Sequence, residues 1–286
     1  MCVTCGCGDS AGVRVRFPGE PVEAHQQPHE HPHEQLQHSH EQDRSHDHDH
    51  PHTGTPPSQP TEVETRTIDI EQELLAKNDS LAEQNRGWLA KHGITAINLM
   101  SSPGSGKTSL LERTIRDAGT QRTVCVIEGD QETLFDAERI RATGASVIQV
   151  NTGAGCHLDA DMLRRGIEAL DPPDGSLLLI ENVGNLVCPA LFDLGESGKV
   201  VVISVTEGDD KPLKYPHMFA AADLIVVNKI DLLPYVEFDI DRCERDARTL
   251  NRGVQFFALS VKTGVGMDPW YEWLGSQRTR LGVWNI

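Results

Sequence analysis

The run from Leu99 to Leu111 contains the residue types of a loop that binds phosphate groups. Its core reads Gly104-Ser105-Gly106-Lys107-Thr108-Ser109 and stands between an apolar run and a helical pattern, the context that such loops require. Backbone N–H groups at the helix start would face the phosphates, Lys107 would add a point charge, and the Thr108 hydroxyl would reach Mg²⁺. Ser101 stands where the usual pattern has its first Gly, but the rest is intact. We therefore predict a nucleotide phosphate site, with an ordinary Gly-rich turn as the alternative.

The tetrapeptide Asn228-Lys229-Ile230-Asp231 follows another apolar run and predicts which base the nucleotide carries. The Asp231 carboxylate can accept hydrogen bonds from both N1–H and the exocyclic amine of guanine, whereas adenine offers no such pair of donors. Ser260 and Lys262 follow the last apolar run, where they would complete the base pocket. We expect GTP and GDP as the bound nucleotides. A loop closed by an Asx turn is the alternative.

Acidic residues near the ends of two further apolar runs are candidates to hold Mg²⁺ and to sense the γ-phosphate. Asp130 follows one run and Asp136 lies six residues later, while Glu181 ends another. Glu181 and Gly184 occupy the place where other nucleotide hydrolases carry Asp-x-x-Gly, so the Gly184 N–H is a candidate γ-phosphate sensor. No Gln or Arg stands out as the residue that positions the attacking water. We therefore expect slow intrinsic hydrolysis.

The first residues form a compact group of soft metal ligands, with Cys2, Cys5 and Cys7 separated by small residues. Thiolates suit Zn²⁺, Ni²⁺ or Cu⁺, and removal of Met1 would leave the Cys2 α-amine as a fourth ligand. A loose terminus with incidental thiols is the alternative. The segment from Pro18 to Pro60 holds ten histidines among acids and Pro, with almost nothing apolar to bury. We expect it to be disordered and to buffer metal, rather than to serve as a plain polar linker.

A second group of metal ligands follows two of the apolar runs in the other half of the chain. Cys156 and His157 follow one run, and Cys188 follows the next. Because the carboxyl ends of neighbouring parallel strands meet at one edge, we expect these residues to lie close together beside the nucleotide. Two thiolates and an imidazole leave one position for water or for a residue of a second subunit. Buried structural roles are the alternative, which we assign to Cys125 and Cys243.

Composition excludes several classes of partner. The formal net charge is -17 in 286 residues, so we expect no nucleic acid and no anionic membrane as partners. No apolar stretch approaches the roughly 20 residues of a membrane span, and the N-terminus lacks the pattern of a signal peptide. We therefore expect a cytoplasmic protein, in which the seven Cys residues are free for metal binding rather than paired in disulfides.

The order of patterns predicts three regions: a Cys motif over residues 1–17, a His-rich linker over 18–67, and a nucleotide-binding domain over 68–286. The domain opens with a helix from about Ile68 to His92, which we expect to pack through an apolar face on the domain or on a second copy. About seven continuously apolar runs then alternate with helical segments. Such runs are buried on both faces, so we predict an α/β fold of the P-loop GTPase type, with a mostly parallel sheet flanked by helices.

Taken with the motifs above, the chain resembles the hydrogenase nickel-incorporation GTPases of NiFe hydrogenase maturation over nearly its whole length. The urease accessory GTPases are similar in the GTPase half, but typically carry Cys-Pro-His where this chain has Cys156-His157 and lack the terminal thiol motif. The resemblance implies a metallochaperone that forms a homodimer with GTP and works with a small zinc-containing nickel chaperone. Its implied client is the hydrogenase large subunit. The resemblance also implies that Cys2, Cys5 and Cys7 hold nickel tightly, and that Cys156, His157 and Cys188 hold nickel or zinc at the dimer interface.

We further hypothesise that the γ-phosphate and Mg²⁺ order the segments around Asp130 and Glu181, and that this shifts the second metal group. Two other functions stay open from the sequence. One is a nickel store whose His-rich segment carries the function. The other is an accessory GTPase directed to urease.

Overall fold

The computed structural model describes residues 14–17, 62–118, 122–130, 135–153 and 155–280. The terminal Cys motif and the His-rich segment as far as residue 61 lie outside these ranges. The expectations of a metal site at Cys2, Cys5 and Cys7 and of disorder and metal buffering by the histidines therefore stay predictions.

A single eight-stranded sheet forms the centre of the described domain, in the order β1-β4-β3-β5-β2-β6-β7-β8. The strands are β1 (Arg14–Arg16), β2 (Thr95–Ser101), β3 (Val124–Asp130), β4 (Ser146–Asn151), β5 (Leu177–Gly184), β6 (Gly198–Ser204), β7 (Leu224–Asn228) and β8 (Gln255–Ala258). All pairs from β4 to β8 are parallel, which confirms the predicted sheet of about seven strands. Strand β1 was not predicted, and it adds an antiparallel edge strand beside β4.

Helices cover both faces of the sheet. They are α1 (Glu62–Lys91), α2 (Lys107–Ala118), α3 (Phe135–Arg141), α4 (Ala160–Leu170), α5 (Lys211–Lys214), α6 (Pro216–Ala221), α7 (Ile240–Leu250) and α8 (Met267–Arg280). Apolar residues of α2, α3 and α8 pack on one face of the strands, whereas those of α1, α4, α6 and α7 pack on the other. The strands are continuously apolar because both of their faces are covered. Within the described residues, no helix is long and apolar enough to cross a membrane.

Helix α1 differs from its prediction in its start and in its buried face. It begins at Glu62, six residues before the expected Ile68, and ends just before Gly93, whose φ is +63°. The predicted apolar face, which included Leu74 and Leu89, is wrong in part, because Leu74 is exposed while Leu89 is buried. Among the described residues of the helix, the other buried side chains are Asn78, Ala82 and Asn85, which with Leu89 are spaced four, three and four residues apart on one face. An apolar pattern could not indicate this face, since two of its four residues are polar.

Parallel strands place their carboxyl ends on one edge, and the candidate residues lie there. The phosphate loop follows β2, Asp130 ends β3, Cys156 and His157 follow β4, and Glu181 lies near the end of β5. Asp130, which we expected to follow strand β3, is instead the last residue of that strand.

Candidate functional site

The phosphate loop spans residues 102–106, between the end of β2 and the start of α2. Gly104 and Gly106 have φ values of +77° and +94°, a region that residues with a Cβ rarely adopt. At Gly106 a Cβ would also lie 2.5 Å from Nδ2 of Asn228. The phosphate loop therefore packs closely against Asn228 at the end of β7, and its conformation needs Gly at these two positions.

Behind the loop, Lys107 and Thr108 converge on the carboxylate of Glu181. The Thr108 hydroxyl donates a hydrogen bond of 2.6 Å to Glu181 Oε1, and Lys107 Nζ lies 3.7 Å from the same oxygen. Lys107 Nζ also lies 3.4 Å from Oγ of Ser101, the residue that replaces the first Gly of the usual pattern. Burial raises the pKa of Glu181, while the Lys107 charge and the Thr108 hydrogen bond oppose that rise. The structure thus brings Glu181 together with the two side chains of the phosphate loop that the sequence analysis singled out.

A second buried carboxylate, Glu128 of β3, lies directly beside Glu181 in the sheet register. Burial and the neighbouring charge of Glu181 raise the pKa of Glu128 to about 9. Among the described residues, Oε2 of each of these two glutamates has no hydrogen-bond partner. Hard carboxylate and hydroxyl oxygens are the ligands that Mg²⁺ prefers, so Thr108, Glu181 and Glu128 offer a fitting donor set.

The sequence analysis missed Glu128, although its position carried a signal. It lies two residues before Asp130, and alternate residues of a strand face the same side. Asp130 is half-buried at the end of β3, and its charge contributes to the raised pKa of Glu128. Asp136 opens α3, pairs with Arg139 at 3.1 Å, and also contributes to that rise.

The predicted base-binding residues form a connected network with the phosphate loop. Asn228 donates from Nδ2 to the Ser105 carbonyl at 3.0 Å, and Lys229 donates from Nζ to the Gly104 carbonyl at 2.6 Å. Lys229 has a φ of +64°, which turns its side chain back over the loop. The base-binding and phosphate-binding segments are therefore held as one unit.

Asp231 accepts a hydrogen bond of 2.6 Å from the Ser260 hydroxyl at Oδ1. It lines a cavity of about 470 Å³, bounded by Gly106, Ser109, Glu112, Arg113, Arg116, Asn228, Lys229, Asp231, Leu232, Val261 and Lys262. The cavity extends from the phosphate loop to Lys262. Arg113 and Arg116 were not among the expected lining residues, because a helical pattern alone does not show which turn of α2 faces the cavity.

Cys156, His157 and Cys188 come together as expected. Their ligand atoms all lie within 4.8 Å of one another, and Cys156 Sγ is 3.8 Å from His157 Nδ1. Burial lowers the pKa of His157 to about 4, so its imidazole is neutral near pH 7 and has a lone pair for a metal ion. A tetrahedral ion with thiolate and imidazole bonds of about 2.0–2.3 Å holds its ligand atoms roughly 3.5–4 Å apart. Small side-chain rotations would therefore close this triad on an ion.

Two asparagines after Glu181 connect the triad to the nucleotide side of the sheet. Asn182 Oδ1 accepts a hydrogen bond from the Leu158 N–H at 3.0 Å, and Asn185 Nδ2 donates to the Cys156 carbonyl at 3.3 Å. Asn182 adjoins Glu181 in β5, so the strand that carries Glu181 also holds the loop that carries Cys156 and His157. Sequence reasoning did not identify either asparagine, since their partners lie 24 to 29 residues away.

Comparison with known proteins gives a consistent result. Residues 95–258 match the family described as CobW/HypB/UreG, nucleotide-binding domain. The chain is 55% identical over 218 residues to the hydrogenase maturation factor HypB of Rhizobium leguminosarum bv. viciae, covering 76% of this chain and 73% of that protein. It is 46% identical to HypB of Escherichia coli K12, covering 97% and 99% of the two chains. A crystal structure of HypB from Helicobacter pylori in complex with nickel is 38% identical, with a TM-score of 0.67 over 71% of this chain and 96% of that one.

Proposed function

We infer that this chain, which belongs to the CobW/HypB/UreG family and within it to the HypB hydrogenase maturation factors, is a GTP-hydrolysing nickel metallochaperone. It helps to insert Ni²⁺ into the large subunit of a NiFe hydrogenase while that enzyme matures. The observation that carries the proposal is the triad of Cys156, His157 and Cys188, which is tied to the same strand as the buried Glu181. The nickel complex of the Helicobacter pylori HypB supports the choice of ion.

GTP is the proposed nucleotide, with Asp231 reading guanine and Ser260 holding the Asp231 carboxylate in place. Backbone N–H groups of Gly104 to Ser109 bind the phosphates, with Lys107 as the point charge. Mg²⁺ neutralises charge on the β- and γ-phosphates when bound. Thr108 and Glu181 would hold that ion, together with acids from the set Glu128, Asp130 and Asp136. The Gly184 N–H is proposed to sense the γ-phosphate, and intrinsic turnover is proposed to be slow.

Coupling between the two sites is proposed to run through β5. The Thr108 hydroxyl contacts Glu181, and the next residue, Asn182, holds the backbone of Leu158. A change at Glu181 when Mg²⁺ and GTP bind therefore has a short, hydrogen-bonded route to the triad. If nickel bound at the triad with equal affinity in the GDP state and the GTP-analogue state, this coupling would be absent.

Other parts of the proposal concern partners and location. The chain is proposed to form a homodimer with GTP, to hold Ni²⁺ or Zn²⁺ at the triad, and to act in the cytoplasm. It is proposed to exchange nickel with a small zinc-containing chaperone, and Cys2, Cys5 and Cys7 to be its tight nickel site. The apolar side chains of Val187 and Leu191, exposed on either side of Cys188, support a protein partner at the triad.

A complementation experiment tests this function. The gene is deleted in the source organism, and wild type, Lys107→Ala and Cys156→Ala are returned in turn. Hydrogenase and urease activities are then measured with and without added nickel. We expect neither variant to restore hydrogenase at low nickel, although purified Lys107→Ala keeps its metal content. Full restoration by Lys107→Ala would indicate a nickel store instead, and a loss confined to urease would indicate an accessory GTPase of urease.

A further inference from the structure

Helix α1 buries two asparagines where an amphipathic helix would bury leucines. Asn78 and Asn85 are only 5% and 3% exposed, and they lie seven residues apart on one face of the helix. A buried amide is stable only when its donors and acceptors are paired. Their partners therefore show what this face of α1 holds.

Both asparagines join the same two segments of the chain. Asn85 Nδ2 donates to the Ala160 carbonyl at 2.8 Å and to the Leu194 carbonyl at 3.0 Å. Asn78 Oδ1 accepts from the Ala160 N–H at 2.9 Å, and its Nδ2 donates to the Asp193 carbonyl at 2.8 Å. Each side chain is therefore a bridge between the start of α4 and the segment before β6.

These two segments carry the ligands of the triad. Ala160 lies three residues after His157, and Asp193 lies five residues after Cys188. Between them, the His157 ring packs against the ring of Phe192 with centroids 4.0 Å apart. From α1, the two asparagines thus hold these backbone segments together. The separation of the segments determines how far Cys188 lies from Cys156 and His157.

Further contacts fix α1 against the second segment. Arg86 makes an ion pair of 2.6 Å with Asp193. Gly195, with a φ of +87°, approaches α1 so closely that a Cβ there would lie 2.3 Å from the Ala82 carbonyl oxygen. These contacts hold α1 against the segment before β6. Asn78 and Asn85 therefore reach Ala160 from a helix whose position is fixed.

We propose that Asn78 and Asn85 are positioning residues of the metal triad, and this rests on the metal role proposed above. They fix the separation of the two ligand-bearing segments before metal arrives. A thiolate–metal bond is about 2.3 Å long with little tolerance, so a small separation of the segments removes one ligand. Loss of the bridges should therefore weaken metal binding and change its coordination, while nucleotide binding is retained.

The test uses the full chain with Cys2, Cys5 and Cys7 replaced by Ala, so that the half-buried Cys156 and Cys188 are its accessible thiols in the described domain. Co²⁺ is the probe, because its thiolate charge-transfer band arises only when Cys ligands bind and is absent with histidine ligands alone. Its d–d bands report coordination geometry. We expect Asn85→Ala to lower Co²⁺ affinity at least tenfold and to alter the d–d spectrum. Asn78→Asp keeps the acceptor for Ala160 but turns an acceptor in place of a donor towards the Asp193 carbonyl, so it should also lower the Co²⁺ affinity.

Thr114→Ala is the matched control. It also removes two buried hydrogen bonds, to the Leu110 carbonyl and from Trp270 Nε1, but on the opposite face of the sheet. It should leave Co²⁺ affinity within twofold of the parent, and GDP binding should verify that each variant is folded. If Asn85→Ala does not fold, Asn78→Asp decides.

Two outcomes count against the proposal in distinguishable ways. Parental affinity and an unchanged spectrum in a folded asparagine variant would overturn the positioning role and leave the metal site standing. If the parent showed no thiolate band, or a band that Cys156→Ala left unchanged, the metal site and the positioning role would be overturned together.

Discussion

At the residue scale, the Asp231 carboxylate is the group on which the choice of base depends. Its Oδ1 is held by Ser260 while the side chain borders the cavity. Asp231→Asn keeps the acceptor for Ser260 but replaces an acceptor by an N–H donor that opposes the guanine donors. Hydrogen bonds to charged groups contribute about 1.5–3 kcal/mol each, so GTP affinity should fall on the order of 100-fold. Xanthosine triphosphate, which offers a carbonyl at that position, should bind more tightly than GTP. Titration with both nucleotides checks this, and unchanged GTP affinity would contradict it.

The described thiols divide into two kinds by their surroundings. Burial raises the pKa of Cys243 to about 12 and also raises the pKa of Cys125, whereas Cys156 and Cys188 are half-buried at the triad. Because the thiolate is the nucleophile, a pKa of about 12 in place of 9.0 leaves Cys243 almost entirely in its unreactive thiol form at pH 8. Iodoacetamide at pH 8 should therefore alkylate Cys156 and Cys188 in minutes while Cys125 and Cys243 stay unmodified.

Peptide mass spectrometry measures that order, and the same reaction in denaturant is its control, since all four thiols should then react alike. The raised pKa of Cys243 also makes the free energy of unfolding depend on pH. The folded protein holds this proton more tightly than the unfolded chain, so the contribution is complete below the ordinary pKa of 9.0. It is lost as the pH rises from there towards about 12. Alkylation of native Cys243 at a rate similar to that of Cys188 would contradict its buried, structural role.

At the element scale, the phosphate loop allows strain and steric collision to be separated by a matched pair of variants. Gly104 and Gly106 both have positive φ, but a Cβ at Gly104 would meet no atom within 4 Å, whereas one at Gly106 would collide with Asn228. Gly104→Ala should cost only backbone strain of about 1–2 kcal/mol. Gly106→Ala should in addition displace Asn228 and the base-binding loop, and lower GDP affinity at least about tenfold more. Binding of a fluorescent GDP analogue measures both, and equal losses would show that the collision is relieved without consequence.

Some elements of the fold could be predicted from the sequence and others could not. The parallel strands and the phosphate loop are predictable because each depends on local signals: continuous apolar runs, and Gly, Lys and Thr at fixed spacing. The buried face of helix α1 was predicted only in part, because the burial of Asn78 and Asn85 is explained by backbone groups about 75 to 115 residues away. Asn182 was missed for a related reason, because its partner, the Leu158 N–H, lies 24 residues away in the segment after β4. Glu128 could have been found from its spacing to Asp130, but only the pairing of β3 with β5 shows that it lies beside Glu181.

At the scale of the whole molecule, the candidate nucleotide and metal residues lie at one edge of the sheet, which is formed by the carboxyl ends of the parallel strands. The antiparallel strand β1 places Arg14 beside Asn151, at the carboxyl end of β4, so the chain that precedes Arg14 joins the domain at this edge. Strand β4 leads into the segment that holds Cys156 and His157, so β1 pairs with the strand that precedes two of the triad's ligands.

The same edge offers a test of the proposed dimer. Three protein ligands leave a tetrahedral ion one open position, and Val187 and Leu191 expose 51% and 43% of their surface beside Cys188. If a second copy covers this patch, Val187→Asp should bury a charge and prevent dimer formation with a GTP analogue and Ni²⁺. Leu213→Asp is the matched control, because Leu213 is equally exposed, at 54%, but lies on α5. Light scattering after size-exclusion chromatography should show monomers for Val187→Asp and dimers for Leu213→Asp, with GDP binding unchanged in both. Dimers of Val187→Asp would place the interface elsewhere.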